Sequence, residues 1–142
     1  MIQVRGTLFT YLSGLATVKA QFGTGAGIRI WPGRMSLLDA DLDSNKRPLK
    51  SMSFRLLPSE ASDALPEGVF TFEFLTIGPT MLDIEAAYAS VYDALHLLTS
   101  EVVGSVEIVE TVVGYGEDVV VDESTGWQGI FATAQITMLD RS

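Results

Sequence analysis

The sequence contains no cysteine and only one histidine among its 142 residues. Without thiols it can form no disulfide, no thiolate metal site and no cysteine nucleophile, and a zinc site of the usual nitrogen and sulfur ligands is nearly excluded. It also lacks an apolar run approaching the roughly 20 residues that a membrane-spanning helix needs. The apolar N-terminal stretch is broken by Thr10, Ser13 and Thr17 and leads to no convincing cleavage site, so neither a membrane span nor a signal peptide is predicted.

Basic residues are missing from most of the chain. Residues 1–55 hold eight lysines and arginines against three aspartates, whereas residues 56–140 hold fifteen acidic residues and no basic one. The net charge of −9 argues against a protein that coats nucleic acid. Two interpretations are open: the fold mixes the two halves and the asymmetry cancels, or the subunit has a basic face and an acidic face. Two such faces favour head-to-tail pairing between copies, which closes into a ring when the rotation allows it.

Motifs that would indicate chemistry are weak. His96 falls in a predicted helix three residues after Asp93, but no nucleophile accompanies it. The acidic run at 39–45 lacks the sixth-position glycine of a calcium loop and has Lys50 in place of the closing glutamate. The glycine-rich segment 23–27 precedes a strand, so it is not a phosphate loop. We therefore assign no catalytic, cofactor-binding or metal-binding residue and expect a protein that is not an enzyme.

The length and the hydrophobic content of 47% predict a single domain spanning residues 1–142. A polar connection at about 33–50 has acidic residues first and basic residues after. Because structureless loops of this length are unusual in compact domains, we expect it to be a long loop or an arm, for example an extended hairpin that reaches a neighbour.

Hydrophobic periodicity predicts an α+β fold. Its mostly antiparallel β-sheet packs against one long helix, with an additional N-terminal helix, in the order α-β-β-β-α-β-β. The predicted segments are a helix at about 3–22, strands at 28–31, 51–56 and 69–77, a helix at about 80–99, and strands at 106–113 and 129–139, with a short strand-like run at 119–121.

Four local motifs, in this order, resemble those of the tail-terminator (tail-completion) proteins of long-tailed bacteriophages and their prophage relatives. They are Arg-Ile-Trp-Pro at 29–32, the strand at 51–57 after a long loop, the strand at 70–77 that runs into the alanine-rich helix around 83–89, and Gly-Trp-Gln-Gly-Ile-Phe at 126–131 before the last strand.

The resemblance implies a structural virion protein at the head-proximal end of a phage tail, assembled in the cytoplasm of the host bacterium. It implies a homo-oligomeric ring, usually a hexamer, that caps the tail tube, stops its polymerisation and presents a surface to the head. The implied partners are further copies of the chain, the tail tube protein and the head-tail connector. DNA would pass through the lumen without sequence-specific binding, and no membrane is involved. The family has no catalytic residues to carry over.

Two sets of residues are candidates for these roles. The candidates for contact with a neighbouring subunit or the tail tube are Arg34, Lys46, Arg47, Lys50, Trp31 and Trp127. Acidic residues that line a lumen would repel DNA phosphates and let the genome slide. The candidates for that role are Glu107, Glu110, Glu117, Asp118, Asp122 and Glu123.

Two other functions fit the same residues. One is a head-tail connector or neck protein of a phage. The other, of a different class, is a small dimeric ligand-binding or enzymatic α+β module, which predicts a concave pocket with convergent polar groups near His96.

Overall fold

The computed structural model describes residues 3–33, 36–57 and 67–141. These residues form an α+β fold with three α-helices and one seven-stranded sheet. In chain order the elements are α1 (Val4–Ser13), α2 (Ala16–Phe22), β1 (Ile30–Trp31), β2 (Ser51–Leu56), β3 (Glu67–Ile77), α3 (Met81–Leu95), β4 (Thr99–Val103), β5 (Val106–Val113), β6 (Glu117–Asp122) and β7 (Trp127–Asp140). None of the described helices is long and apolar enough to cross a membrane.

The sheet is organised around β7, its longest strand. The strand order is β1-β2-β3-β7-β5-β4, and β6 pairs with β7 beside β5. β5 pairs with residues 134–140 of β7 and β6 with residues 127–131, so β5 and β6 follow one another along the same edge of β7. Only β1 and β2 pair in parallel, which makes the sheet mixed.

One face of the sheet and the helices form the core. Phe70, Phe72 and Phe74 of β3 are buried on that face, as their alternation predicts. In β7 their direct partners are Ile136, Ala134 and Ala132, so two of the three phenylalanines face small alanines. The helices contribute buried apolar side chains at Leu8, Leu12, Val18, Phe22, Ile84, Val91 and Leu95.

The N-terminal helix predicted at about 3–22 is two helices. α1 ends at Ser13, and Leu15 has an extended backbone (φ −86°, ψ 131°) before α2 begins. Because glycine weakens a helix interior, Gly14 is where the turn occurs. The break sends α1 against β4 and α2 against α3.

The main helix is shorter than the predicted 80–99. Thr80 caps its N-terminus as its sequence pattern predicts, accepting a hydrogen bond from the Asp83 N–H. α3 ends at Leu95, Leu97 takes a positive φ of 59°, and hydrogen bonds between Leu97, Leu98 and Thr111 lead the chain into β4. The predicted order, with one N-terminal helix and two strands after α3, is therefore wrong: two helices stand at the start and four strands follow α3.

The described part of the predicted arm folds back on itself. Residues 41–49 form a small hairpin, with a β-bridge between Leu42 and Pro48. The Asp43 carboxylate stabilises its turn by accepting hydrogen bonds from the N–H groups of Asn45 (2.9 Å) and Arg47 (2.8 Å). We call this segment the 41–49 hairpin.

Candidate interaction surfaces

The strand order separates much of the charge of the two halves of the chain. β1 and β2 form one edge of the sheet, and the basic residues Arg29, Lys50 and Arg55 lie on or next to them. β4, β5 and β6 form the opposite side and carry only acidic charges, at Glu101, Glu107, Glu110, Glu117, Asp118 and Asp122. Arg5 and Arg141 are exceptions, because α1 packs against β4 and Arg141 binds Glu107 of β5.

The predicted basic interface residues differ in how far they are free to bind. Lys46 is exposed at the turn of the 41–49 hairpin and makes no ion pair with a described residue. Arg47 is held by Asp43 (Nε to Oδ2, 3.1 Å), and Lys50 donates to the Gln21 side-chain oxygen (2.9 Å). Arg34 lies outside the described residues.

Three of the predicted interface residues surround one cavity. Lys46, Arg47 and the half-buried Trp127 line a space of about 410 Å³ between the 41–49 hairpin, the N-terminus of α3 and the turn at 125–128. We call it the hairpin cavity. Lys50 and Trp31 are not part of its lining.

Trp31 lies on the sheet face that points away from the helices. Cross-strand pairing aligns Trp31 with Ser53, Ser53 with Leu75 and Leu75 with Phe131, which makes a row across four strands. Further along, this face is polar, with an Arg55–Glu73 ion pair of 2.6 Å and the side chains of Thr71, Thr133 and Gln135. All three described helices belong to the core on the other face. We call this the outer sheet face.

The six predicted lumen residues do not form one surface. Glu107, Glu110 and Glu117 pair with Leu139, Thr137 and Phe131 of β7 and so lie on the outer sheet face. Asp118 pairs with the buried Ile130 and therefore lies on the helix side. Asp122 and Glu123 lie at the β6–β7 turn.

Two of these carboxylates accept hydrogen bonds from side chains of the same chain. Both Glu107 oxygens accept hydrogen bonds from the Arg141 guanidinium (2.7 and 2.8 Å), and this contact lowers the pKa of Glu107. Asp122 accepts hydrogen bonds from the Thr125 and Ser124 hydroxyls, which lower its pKa. Glu110, Glu117 and Asp118 are exposed and form no ion pair with a described residue.

A second concave surface lies near His96, where the ligand-binding or enzymatic alternative predicts a pocket, but its aromatic lining was not singled out from the sequence. Tyr88 and Tyr92 of α3 and His96, which directly follows the helix, are spaced four residues apart. With Tyr115 opposite, they line a space of about 510 Å³ beside the β5–β6 connection. The Tyr92 and His96 rings stack with centroids 4.6 Å apart. We call this the aromatic groove. The spacing i, i+4, i+8 was the signal that could have revealed it.

The polar atoms of the aromatic groove do not converge on one point. His96 Nδ1 accepts a hydrogen bond from the Val113 N–H (3.4 Å). The Tyr88 hydroxyl is buried without a hydrogen-bond partner, and burial is the main cause that raises the pKa of Tyr88. A concave surface near His96 therefore exists, but without the convergent polar groups that a ligand-binding or enzymatic module predicts. In the described ranges, no group of three or more histidine, aspartate or glutamate side chains is placed to hold a metal ion.

Comparison with known proteins shows that this chain shares its fold with a solved structure. No protein-family model and no curated protein matches the chain. Among solved structures, the chain is similar to one from the virion of a native gene transfer agent (GTA) particle, with a TM-score of 0.62 and 17% sequence identity. The match covers 96% of this chain and 94% of that one, so the two share a fold over almost their whole lengths.

Proposed function

We propose that this chain is a structural component of a phage-like virion and, more specifically, a tail terminator. It caps the finished tail tube as a homo-oligomeric ring, a hexamer, stops tube polymerisation and offers the surface to which the head attaches. The observation that carries the proposal is the fold, which is shared over 96% of this chain with a chain of a GTA virion. The chain acts through surfaces and not through a catalytic site.

The separation of charge supports a ring. A ring requires a heterologous contact, in which one surface of a subunit binds a different surface of the next. The basic β1–β2 edge and the acidic β4–β5–β6 side are two such surfaces, held apart by β3 and β7. Opposite charges on the two surfaces favour head-to-tail pairing and disfavour pairing between like surfaces.

The outer sheet face supports a passage for DNA. Glu110 and Glu117 lie on this face and are exposed, next to the polar side chains of Thr133 and Gln135. The described cations at this face, Arg55 and Arg141, are paired with Glu73 and Glu107. A lumen of this composition repels phosphates weakly, so DNA slides through. In this arrangement the helices lie on the outside of the ring.

Electron microscopy of purified protein mixed with tail tubes of the same phage tests the proposal. We expect rings, and tubes that end in one ring and no longer grow when tube protein is added. Binding to the head connector without binding to tubes would identify a connector or neck protein instead. A chain that stays monomeric by light scattering at tens of micromolar and also leaves tubes uncapped would overturn the proposal.

A further inference from the structure

We infer that the aromatic groove receives a basic side chain from a second copy of this chain, and that this side chain is Lys46 of the 41–49 hairpin. The inference rests on the proposed function, because it requires a ring of identical subunits. It adds to the proposed ring one specific contact between neighbouring subunits, which joins the 41–49 hairpin of one copy to the aromatic groove of the next.

The lining of the groove suits a cation with an apolar stem. Tyr88, Tyr92 and His96 offer ring faces and edges along one side, and Tyr115, fully exposed, stands at the other. An ammonium group close to an aromatic face is attracted by its quadrupole, and the methylene stem of a lysine packs on apolar surface. The unpaired Tyr88 hydroxyl adds a buried polar atom that no described residue satisfies.

Three acidic residues are close in sequence to residues that line the groove. Glu85 precedes Tyr88 by one helical turn, Asp93 follows Tyr92 directly, and Asp118 lies on the helix side of β6. All three acids are exposed, and none forms an ion pair with a described residue. Since residues 56–140 contain no lysine or arginine, a cation that neutralises them comes from residues 1–55, from Arg141 or from another molecule.

Most of the described cations are already engaged. Arg29 donates to backbone oxygens of Lys50 and Gln21, Lys50 to Gln21, Arg47 to Asp43, Arg55 to Glu73 and Arg141 to Glu107. Arg5 and Lys19 lie on helix surfaces, whereas Lys46 is exposed at a hairpin turn with a positive φ of 59°. Of the described cations, Lys46 is therefore the one that is exposed on a hairpin turn.

In the structure this lysine does not line the groove of its own subunit. Lys46 lines the hairpin cavity together with Ile84, and the groove begins one helical turn further along α3, at Tyr88. The donor and the receptor are thus distinct surfaces of one chain, as a heterologous ring contact requires.

Charge reversal tests the contact. We expect Lys46→Glu and Asp118→Lys each to weaken self-association by on the order of tenfold or more. An equal mixture of the two variants should assemble again, because every contact in an alternating ring then joins opposite charges. Lys19→Glu is the matched control for Lys46→Glu and should associate like the unmodified chain, since it makes the same charge change on α2.

Cross-linking gives a second readout that does not depend on loss of assembly. Because the chain has no cysteine, Lys46→Cys and Tyr115→Cys can be made in separate copies, mixed and oxidised. We expect a disulfide between the two kinds of copy, and none when Lys19→Cys replaces Lys46→Cys.

The outcomes separate this inference from the proposed function. If the unmodified chain forms rings but neither charge reversal weakens them and the cysteines do not join, the groove is not the contact, while the terminator proposal stands. If the unmodified chain does not associate with itself, alone or on tubes, both proposals are wrong.

Discussion

Arg141 neutralises one carboxylate in the otherwise acidic last part of the chain. Its hydrogen bond lowers the pKa of Glu107, so the contact stabilises the fold above the ordinary pKa of a glutamate and is lost as the pH falls through the lowered value. We expect Arg141→Met to lower the melting temperature at pH 7, and the difference from the unmodified chain to shrink below about pH 4. Thermal unfolding of both proteins between pH 7 and about pH 4 measures this difference in melting temperature. Lys19→Met serves as the control, and a difference that does not change with pH would argue against the pair.

Gly129 allows two strands to approach closely. A methyl group at this position would lie 2.7 Å from the Thr76 carbonyl oxygen and 3.2 Å from a Leu75 methyl carbon. We expect Gly129→Ala to lower the free energy of unfolding by about 1–3 kcal/mol, as overpacking does elsewhere. Denaturant titration measures the loss. Gly27→Ala, where nothing lies within 4 Å, is the matched control and should cost far less.

Single elements were predictable where one local signal decided them. The alternation of Phe70, Phe72 and Phe74 gave β3, and the Thr80–Asp83 pattern gave the start of α3. The break between α1 and α2 was missed because Leu8, Leu12 and Leu15 keep helical spacing across it. Likewise, Leu98 continues the apolar stripe of α3 although the chain has already turned toward β5, and only that tertiary pairing creates β4.

The start of α3 depends on its cap. Thr80 accepts the Asp83 N–H bond at 3.2 Å, and its hydroxyl donates to Asp83 Oδ2 at 2.7 Å. We expect Thr80→Ala to cost about 1 kcal/mol of unfolding free energy, measured by denaturant titration. Thr10→Ala, an exposed change within α1, removes a threonine from a helix interior and should not destabilise. Equal effects of the two changes would show that the cap is not what stabilises α3.

At the scale of the whole molecule, counting charged residues along the sequence reveals that one half is basic and the other acidic. Where the two halves lie in the sheet follows only from the strand order. The sequence does not reveal that β1 and β2 take one edge while β4, β5 and β6 take the opposite side. The aromatic groove was harder still to predict from the sequence. Tyr115 is brought opposite the aromatic residues at 88, 92 and 96 only by the pairing of β5 and β6 with β7. The spacing of residues in a sequence indicates which residues share a face of a helix or strand. It does not indicate which of these faces contact one another.

Self-association should depend on salt. Because the proposed contact joins exposed opposite charges, raising the ionic strength from about 0.05 M to about 0.5 M should raise the dissociation constant on the order of tenfold. Sedimentation velocity at several salt concentrations measures it. The Lys46→Glu variant should show a smaller dependence, since it has lost one of the attractive charges. An association that strengthens with salt would point to an apolar contact instead.

The position of β7 has a consequence for how the protein is made. This strand joins β3 to β5 and β6, yet it is translated after every other element of the sheet. While residues 127–140 are still inside the ribosome, β3 has no partner on its inner edge and the phenylalanines of the core lack their β7 neighbours. The sheet is therefore completed only after synthesis of its last strand, through pairings between residues more than fifty positions apart, which form slowly. During that interval one edge of β3 is unpaired in a newly made chain. We expect chaperones of the cell to prevent this edge from pairing prematurely with another chain.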